Sequence, residues 1–138
     1  MVFNNPSMDA LRTLLVRARR IAVVGFSPRT HRPSYRIAAG LQKVGYHVIP
    51  VRPGISEGLG EKAYPTIASL DDVPDIVNVF RSAEYVEPIV EDCIRLGAKT
   101  LWLQDDIVNE QAAQRAAQAG ITVVMDRCIL RDYYSLCA

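Results

Sequence analysis

IAVVGFSPRTHRPSYR, residues 21–36, decides the fold. Ile21–Val24 is a short, continuous apolar run, which reads as a central strand buried on both faces. Gly25 breaks it. Pro33 and Ser34 then open a helix predicted over 34–44, with Gly45 as its left-handed C-terminal cap. Strand, long loop, helix is the opening of an α/β unit whose loop lies at the strand's C-terminal end.

The pattern repeats outward from that stretch. An N-terminal helix is predicted from Met8 to about Arg19, with Ser7 as its cap and Asp9 in its first turn. Further strands are predicted at Tyr46–Val51, Asp75–Phe80, Lys99–Gln104 and Ile121–Met125. Helices alternate with them at 83–96 and 109–119, a last one covers 129–134, and a short turn lies near Thr66–Leu70. Residues 55–65 read as a loop, since Gly54, Gly58 and Gly60 interrupt any periodicity. Regular alternation of strands and helices predicts a Rossmann-like, doubly wound α/β fold. It is a five-stranded parallel sheet with helices on both faces, in a single domain spanning 1–138.

Composition narrows the function classes. The chain has 138 residues, is 49% hydrophobic, and carries 16 basic against 15 acidic side chains. Apolar material is ample for a core. A balance of charge so close to neutral, with no basic stripe, argues against nucleic-acid and membrane-surface binding. No stretch approaches the roughly 18 apolar residues of a membrane span. The N-terminal residues lack the basic-then-apolar layout of a signal peptide. Three cysteines, Cys93, Cys128 and Cys137, have no metal-ligand spacing, and neither His31 nor His47 has a Cys-x-x-Cys partner. No metal is expected. Free thiols fit a reducing cytoplasm.

In doubly wound sheets the ligand lies beyond the C-terminal strand ends. The first loop there has one glycine, so it is not the Gly-x-Gly-x-x-Gly dinucleotide fingerprint. It offers the hydroxyls of Ser27, Thr30 and Ser34, the cations Arg29 and Arg32, His31 when protonated, and the start of a helix whose amides favour anions. After the second strand an NAD site would carry an acidic residue to hold the ribose diol. Here the chain reads Val51-Arg52-Pro53. Arginine disfavours NAD and accommodates a phosphorylated ribose, as in NADP or coenzyme A. Phe80 is either a core residue or a platform for an aromatic or pantetheine group, and Arg81 beside it suits a phosphate or carbonyl oxygen. Gln104 ends the fourth strand, either reading a ligand amide or capping. Cys128 opens the last helix, where a dipole lowers a thiol pKa, although free cysteines are commonly buried and inert. Trp102 is expected in the core. Asp105 and Asp106 are expected to cap the next helix or to lie in solvent. No nucleophile elbow, Walker lysine or paired acid–base set is legible, so no catalytic residue is assigned.

Five blocks in order carry a resemblance: residues 21–54, GEKAYPTIASL (60–70), DIVNVFR (75–81), GAKTLWLQDDIVNEQAA (97–113) and GITVVMDRC (120–128). Together they resemble the stand-alone CoA-binding proteins, which are similar to the N-terminal CoA-binding domain of the succinyl-CoA synthetase alpha subunit. The resemblance implies binding of coenzyme A or an acyl-CoA at the strand ends. By position it implies contacts from Gly25, Ser27, Arg32, Ser34 and Tyr35 in the first loop, where Phe26 is a further candidate although its bulk makes close backbone approach to a pyrophosphate harder than glycine would. Phe80, Arg81, Gln104 and Cys128, with Asp126 and Arg127 beside it, follow in later motifs. Arg52 and Pro53 replace the Asn-Pro that the family often carries after the second strand, and an arginine there suits the 3′-phosphate. The synthetase's phosphohistidine domain has no counterpart, so the ligase reaction is not implied. The expectation is a small-molecule nucleotide ligand and no catalysis. A small NADP-dependent or acyl-CoA-processing enzyme, or an acyl-CoA-sensing subunit with a protein partner or in a homo-oligomer, is the alternative.

Overall fold

The computed structural model describes residues 3–138; the first two residues of the expected domain lie outside that range. The chain runs α1 (Met8–Arg17), β1 (Arg20–Val24), α2 (Pro33–Lys43), β2 (His47–Val51), β3 (Glu57–Gly58), β4 (Glu61–Lys62), β5 (Ile76–Val79), α3 (Val86–Leu96), β6 (Thr100–Leu103), α4 (Glu110–Gln118), β7 (Thr122–Val124) and α5 (Ile129–Leu136). Five strands form one parallel sheet in the order β2-β1-β5-β6-β7. This is the Rossmann-like, doubly wound sheet expected from the alternation of elements.

Both faces are covered because the central strands carry apolar side chains on both sides, with Asn78 of β5 a buried polar exception. Ile21, Val23, Ile76 and Trp102 pack under α1, α2 and α5, while Ala22, Val24, Val77 and Leu101 pack under α3, α4 and the 3-10 turn at Ile67–Ser69. Trp102 is fully buried, and its indole N–H donates to the Arg127 carbonyl at 2.8 Å. The strand order sets the site. From β1 the chain crosses by α2 to β2 on one side, then returns past β1 to β5 on the other. The crevice where order reverses therefore opens above the ends of β1 and β5.

Local chemistry explains the element boundaries. Ser7 caps α1, accepting from the Ala10 amide at 3.2 Å. The helix stops at Arg17, two residues earlier than expected. The Arg19 and Arg20 amides are taken by the Asp75 carboxylate, at 2.8 and 2.9 Å, and β1 starts there. Ala83–Tyr85 is a 3-10 turn, so α3 begins at Val86. Pro88 then falls at the third helical position, where an amide has no intrahelical partner. Asn109 caps α4, accepting from the Ala112 amide at 3.0 Å. Asp105 and Asp106 do not, contrary to the capping option. Asp105 forms a bidentate pair with Arg131 at 2.8 Å, and the Asp106 amide donates to the Asp126 carboxylate at 2.7 Å.

The segment read as a loop, 55–65, contains a hairpin. Glu57 pairs with Lys62 and Gly58 with Glu61, antiparallel. Leu59 and Gly60 form its two-residue turn, both with positive φ, +52° and +77°. The chain then runs beside β2: the Tyr64 amide donates to the Pro50 carbonyl at 3.0 Å, and the Arg52 amide donates to the Tyr64 carbonyl at 2.8 Å.

Candidate functional site

The site is built around Gly25. Its amide donates to the Val51 carbonyl at 3.1 Å, closing the end of β1 onto β2. On the other side the Phe80 amide donates to the Val24 carbonyl at 2.8 Å. With φ at +83°, Gly25 turns the chain across the top of β5. A Cβ there would sit 3.2 Å from Arg81 Cδ and 3.3 Å from the Phe80 carbonyl group. Only glycine accepts both the dihedral and the contact.

Beyond Gly25 the loop is self-braced. The Ser27 amide donates to Ser34 Oγ at 3.0 Å and the Arg29 amide donates to Ser27 Oγ at 3.2 Å. Arg32 precedes α2 without a side-chain cap, and the first turn carries no acidic residue. The helix N-terminus is thus left electropositive, with Pro33 and Ser34 at its start.

Two adjoining hollows share Gly25, Ser27 and Arg52. One, of about 380 Å³, is walled by apolar groups: Val24, Val51, Pro53, Pro65, Ile67 and Ile89. Phe26, Thr66, Arg81 and Asp92 complete it. The other, of about 460 Å³, is cationic: Arg29 and Arg32 face it with Pro33, Ser34 and Phe80. The two make one cleft with a greasy half and an anion-seeking half, bridged by a single arginine. Arg52 is exposed, but its backbone is fixed by the bond to Tyr64. Arg81 lies over the Tyr85 ring, 4.1 Å from its centroid, and so is held at the rim.

Of the residues expected at the site, Gly25, Phe26, Ser27, Arg32, Ser34, Arg52, Pro53, Phe80 and Arg81 line this cleft. Three do not. Tyr35 packs on Phe26 instead, its ring 5.9 Å from that of Phe26. Gln104 is buried and its Oε1 accepts from the Ile129 amide at 3.0 Å, the capping arrangement. Cys128 precedes α5 and is buried at 8% exposure beneath the β6–β7 side of the sheet edge. Asp126 and Arg127 also lie on that side. Arg127 is committed to a bidentate pair with the buried Asp132, at 2.7 and 2.9 Å, which holds its guanidinium above the usual range. These residues fall outside the cleft because β6 and β7 sit one and two strands beyond the switch point. Conversely, sequence reasoning missed Pro65, Thr66 and Ile67, and Ile89 with Asp92 on α3. The latter pair are three apart, on one helical face, which was a legible signal.

A family model described as CoA binding domain matches residues 19–134. The chain belongs to the CoA-binding domain family. Among relatives, the uncharacterized protein YneT of Bacillus subtilis (strain 168) is 42% identical over 125 residues, covering 91% of this chain and 93% of that protein. A hypothetical protein from Pyrococcus horikoshii OT3 superimposes with a TM-score of 0.92 at 32% identity, over 100% of both chains. The dinucleotide forming acetyl-coenzyme A synthetase 1 of Ca. Korarchaeum cryptofilum matches with a TM-score of 0.66 at 25% identity. There this CoA-binding domain spans 75% of its own length but 25% of the larger chain. Among the described residues no helix is long and apolar enough to cross a membrane, and no group of three His, Cys, Asp or Glu side chains could hold a metal.

Proposed function

We propose that this protein binds coenzyme A or an acyl-CoA in the cleft above β1, β2 and β5, and acts as a ligand-binding domain without chemistry of its own. What carries the reading, beside the family, is the pairing of two unlike hollows through Arg52. Coenzyme A is an apolar base, a ribose with a 3′-phosphate, a diphosphate and a long arm. The apolar half suits adenine between Val51, Pro53 and Ile67. The α2 N-terminus with Arg29 and Arg32 suits the diphosphate, and Arg52 between them suits the 3′-phosphate. The pantetheine arm leaves past Phe80. Three free cysteines fit a reducing, cytoplasmic setting.

The test is titration calorimetry with CoA, acetyl-CoA, NADPH and ATP. CoA and acetyl-CoA are expected to bind more tightly than NADPH, and ATP least. Saturable NADPH binding without CoA binding would favour the reductase reading instead. No heat with either CoA species would overturn the proposal.

A further inference from the structure

The hairpin at 57–62 bears on the ligand loop through Gly58. Gly58 has no positive φ, so its backbone does not require glycine. What requires it is space: a Cβ at Gly58 would lie 2.6 Å from Phe26 Cε2, 3.0 Å from Phe26 Cζ and 3.2 Å from Pro50 Cγ. Phe26 stands between Gly25 and Ser27, which both halves of the cleft share, yet it is only 1% exposed. Its ring is held between the Gly58 backbone and Tyr35. The hairpin itself is pinned. Gln42 on α2 donates from Nε2 to the Leu59 carbonyl at 2.9 Å, and His47 on β2 lies 3.2 Å from Glu61. Its outgoing strand fixes Arg52 through Tyr64.

We infer that Gly58 is a positioning residue of the ligand loop. By letting the hairpin backbone rest on the Phe26 ring, it sets the height of Gly25 and Ser27 at the cleft floor. Phe26 and Gly58 form a size-matched pair, one large and one absent side chain. The loop's other hydrogen bonds are mostly local, Ser27 to Ser34, Arg29 to Ser27 and Arg32 to Arg29, with Gly25 tied to the Val51 carbonyl. A ligand loop displaced by more than about 0.5 Å loses the simultaneous fit of base and phosphates. This inference rests on the CoA reading for its functional consequence, not for its structural one.

The test compares Gly58→Ala with Gly60→Ala. Gly60 has φ +77° and nothing within 4 Å of a Cβ, so that variant strains the hairpin without reaching Phe26. In the ligand-free protein, the Ser27 amide resonance is expected to shift in Gly58→Ala and to stay in Gly60→Ala. CoA affinity should fall roughly tenfold in Gly58→Ala and less than about twofold in Gly60→Ala. Adding Phe26→Leu to Gly58→Ala makes room for the methyl. The double variant should then bind CoA as Phe26→Leu alone does, even if Gly58→Ala by itself folds poorly. An unmoved Ser27 resonance in folded Gly58→Ala, equal losses in both glycine variants, or purely additive effects in the double variant would overturn the inference. Absence of CoA binding by the unaltered protein would instead overturn the proposed function, leaving the Ser27 comparison to decide the positioning role.

Discussion

Replacing Arg52 by alanine should separate the 3′-phosphate from the rest of the ligand. The side chain is exposed at the junction of the two hollows, and its backbone is tied to the Tyr64 carbonyl at 2.8 Å. Truncation therefore removes charge without loosening the end of β2. Two unit charges about 4 Å apart attract by about 4 kcal/mol at an effective dielectric near 20, before desolvation and side-chain ordering are subtracted. A charge-assisted hydrogen bond nets about 1.5–3 kcal/mol, and exposure pulls Arg52 to the lower end. About 1.4 kcal/mol is tenfold in affinity. Arg52→Ala should thus weaken CoA about tenfold and leave dephospho-CoA nearly unchanged. The difference should shrink at high salt, since an exposed pair is screened. Calorimetry on both proteins with both ligands, at two ionic strengths, reads this directly. Equal weakening of CoA and dephospho-CoA would refute the assignment of Arg52 to the 3′-phosphate.

Three further outcomes follow from the geometry. Gly25→Ala forces a Cβ to 3.2–3.3 Å from Phe80 and Arg81 at φ +83°, and should cost about 1–3 kcal/mol in urea unfolding while abolishing CoA binding; full stability would contradict it. Asn78 is wholly buried, and neither side-chain amide atom has a partner among the described residues. Asn78→Val should therefore stabilise by about 1 kcal/mol, and a loss of similar size would show that the amide is partnered. Asp75 is partly buried, which alone would raise its pKa, but the Arg20 and Arg19 amides outweigh this and hold it below its usual value. A depressed carboxylate contributes stability above the unfolded pKa, and that contribution is lost as pH falls through the folded one. Asp75→Asn should thus lower stability at pH 7 and flatten its decline below about pH 4; parallel acid-denaturation curves would refute this.

What the sequence revealed, and what it hid, follow from different physics. Ile21–Val24 and Gly25 were legible because a short apolar run ending in glycine has few other readings. The hairpin was not. Its strands are two residues each, and its turn is Leu59-Gly60 rather than the Asn-Gly or Asp-Gly that marks such turns. Gln104 and Cys128 were grouped with the cleft residues because every parallel strand ends at the same sheet edge, yet neither lines the cleft. Linear sequence does not give strand order, and the order puts β6 and β7 away from the crevice. Arg52 was legible as a cation at the end of β2, and it does stand where the two hollows meet. The walls it bridges, at Ile67 and Ile89, come from a turn and a helix whose packing depends on tertiary contact. Burial was only partly readable: Cys93 lies wholly inside, and burial pushes its thiol up to about 12, consistent with a structural role in α3.

The most direct test of CoA binding in this cleft is a titration of the isotope-labelled protein with CoA, followed at backbone amides. Saturable shifts should centre on Gly25, Ser27, Ser34, Arg52, Ile67 and Arg81, while Ile129 on α5 and Thr122 on β7 stay put. Shifts absent from the β1–β5 crevice, or gathered instead around Gln104 and Cys128, would contradict the account.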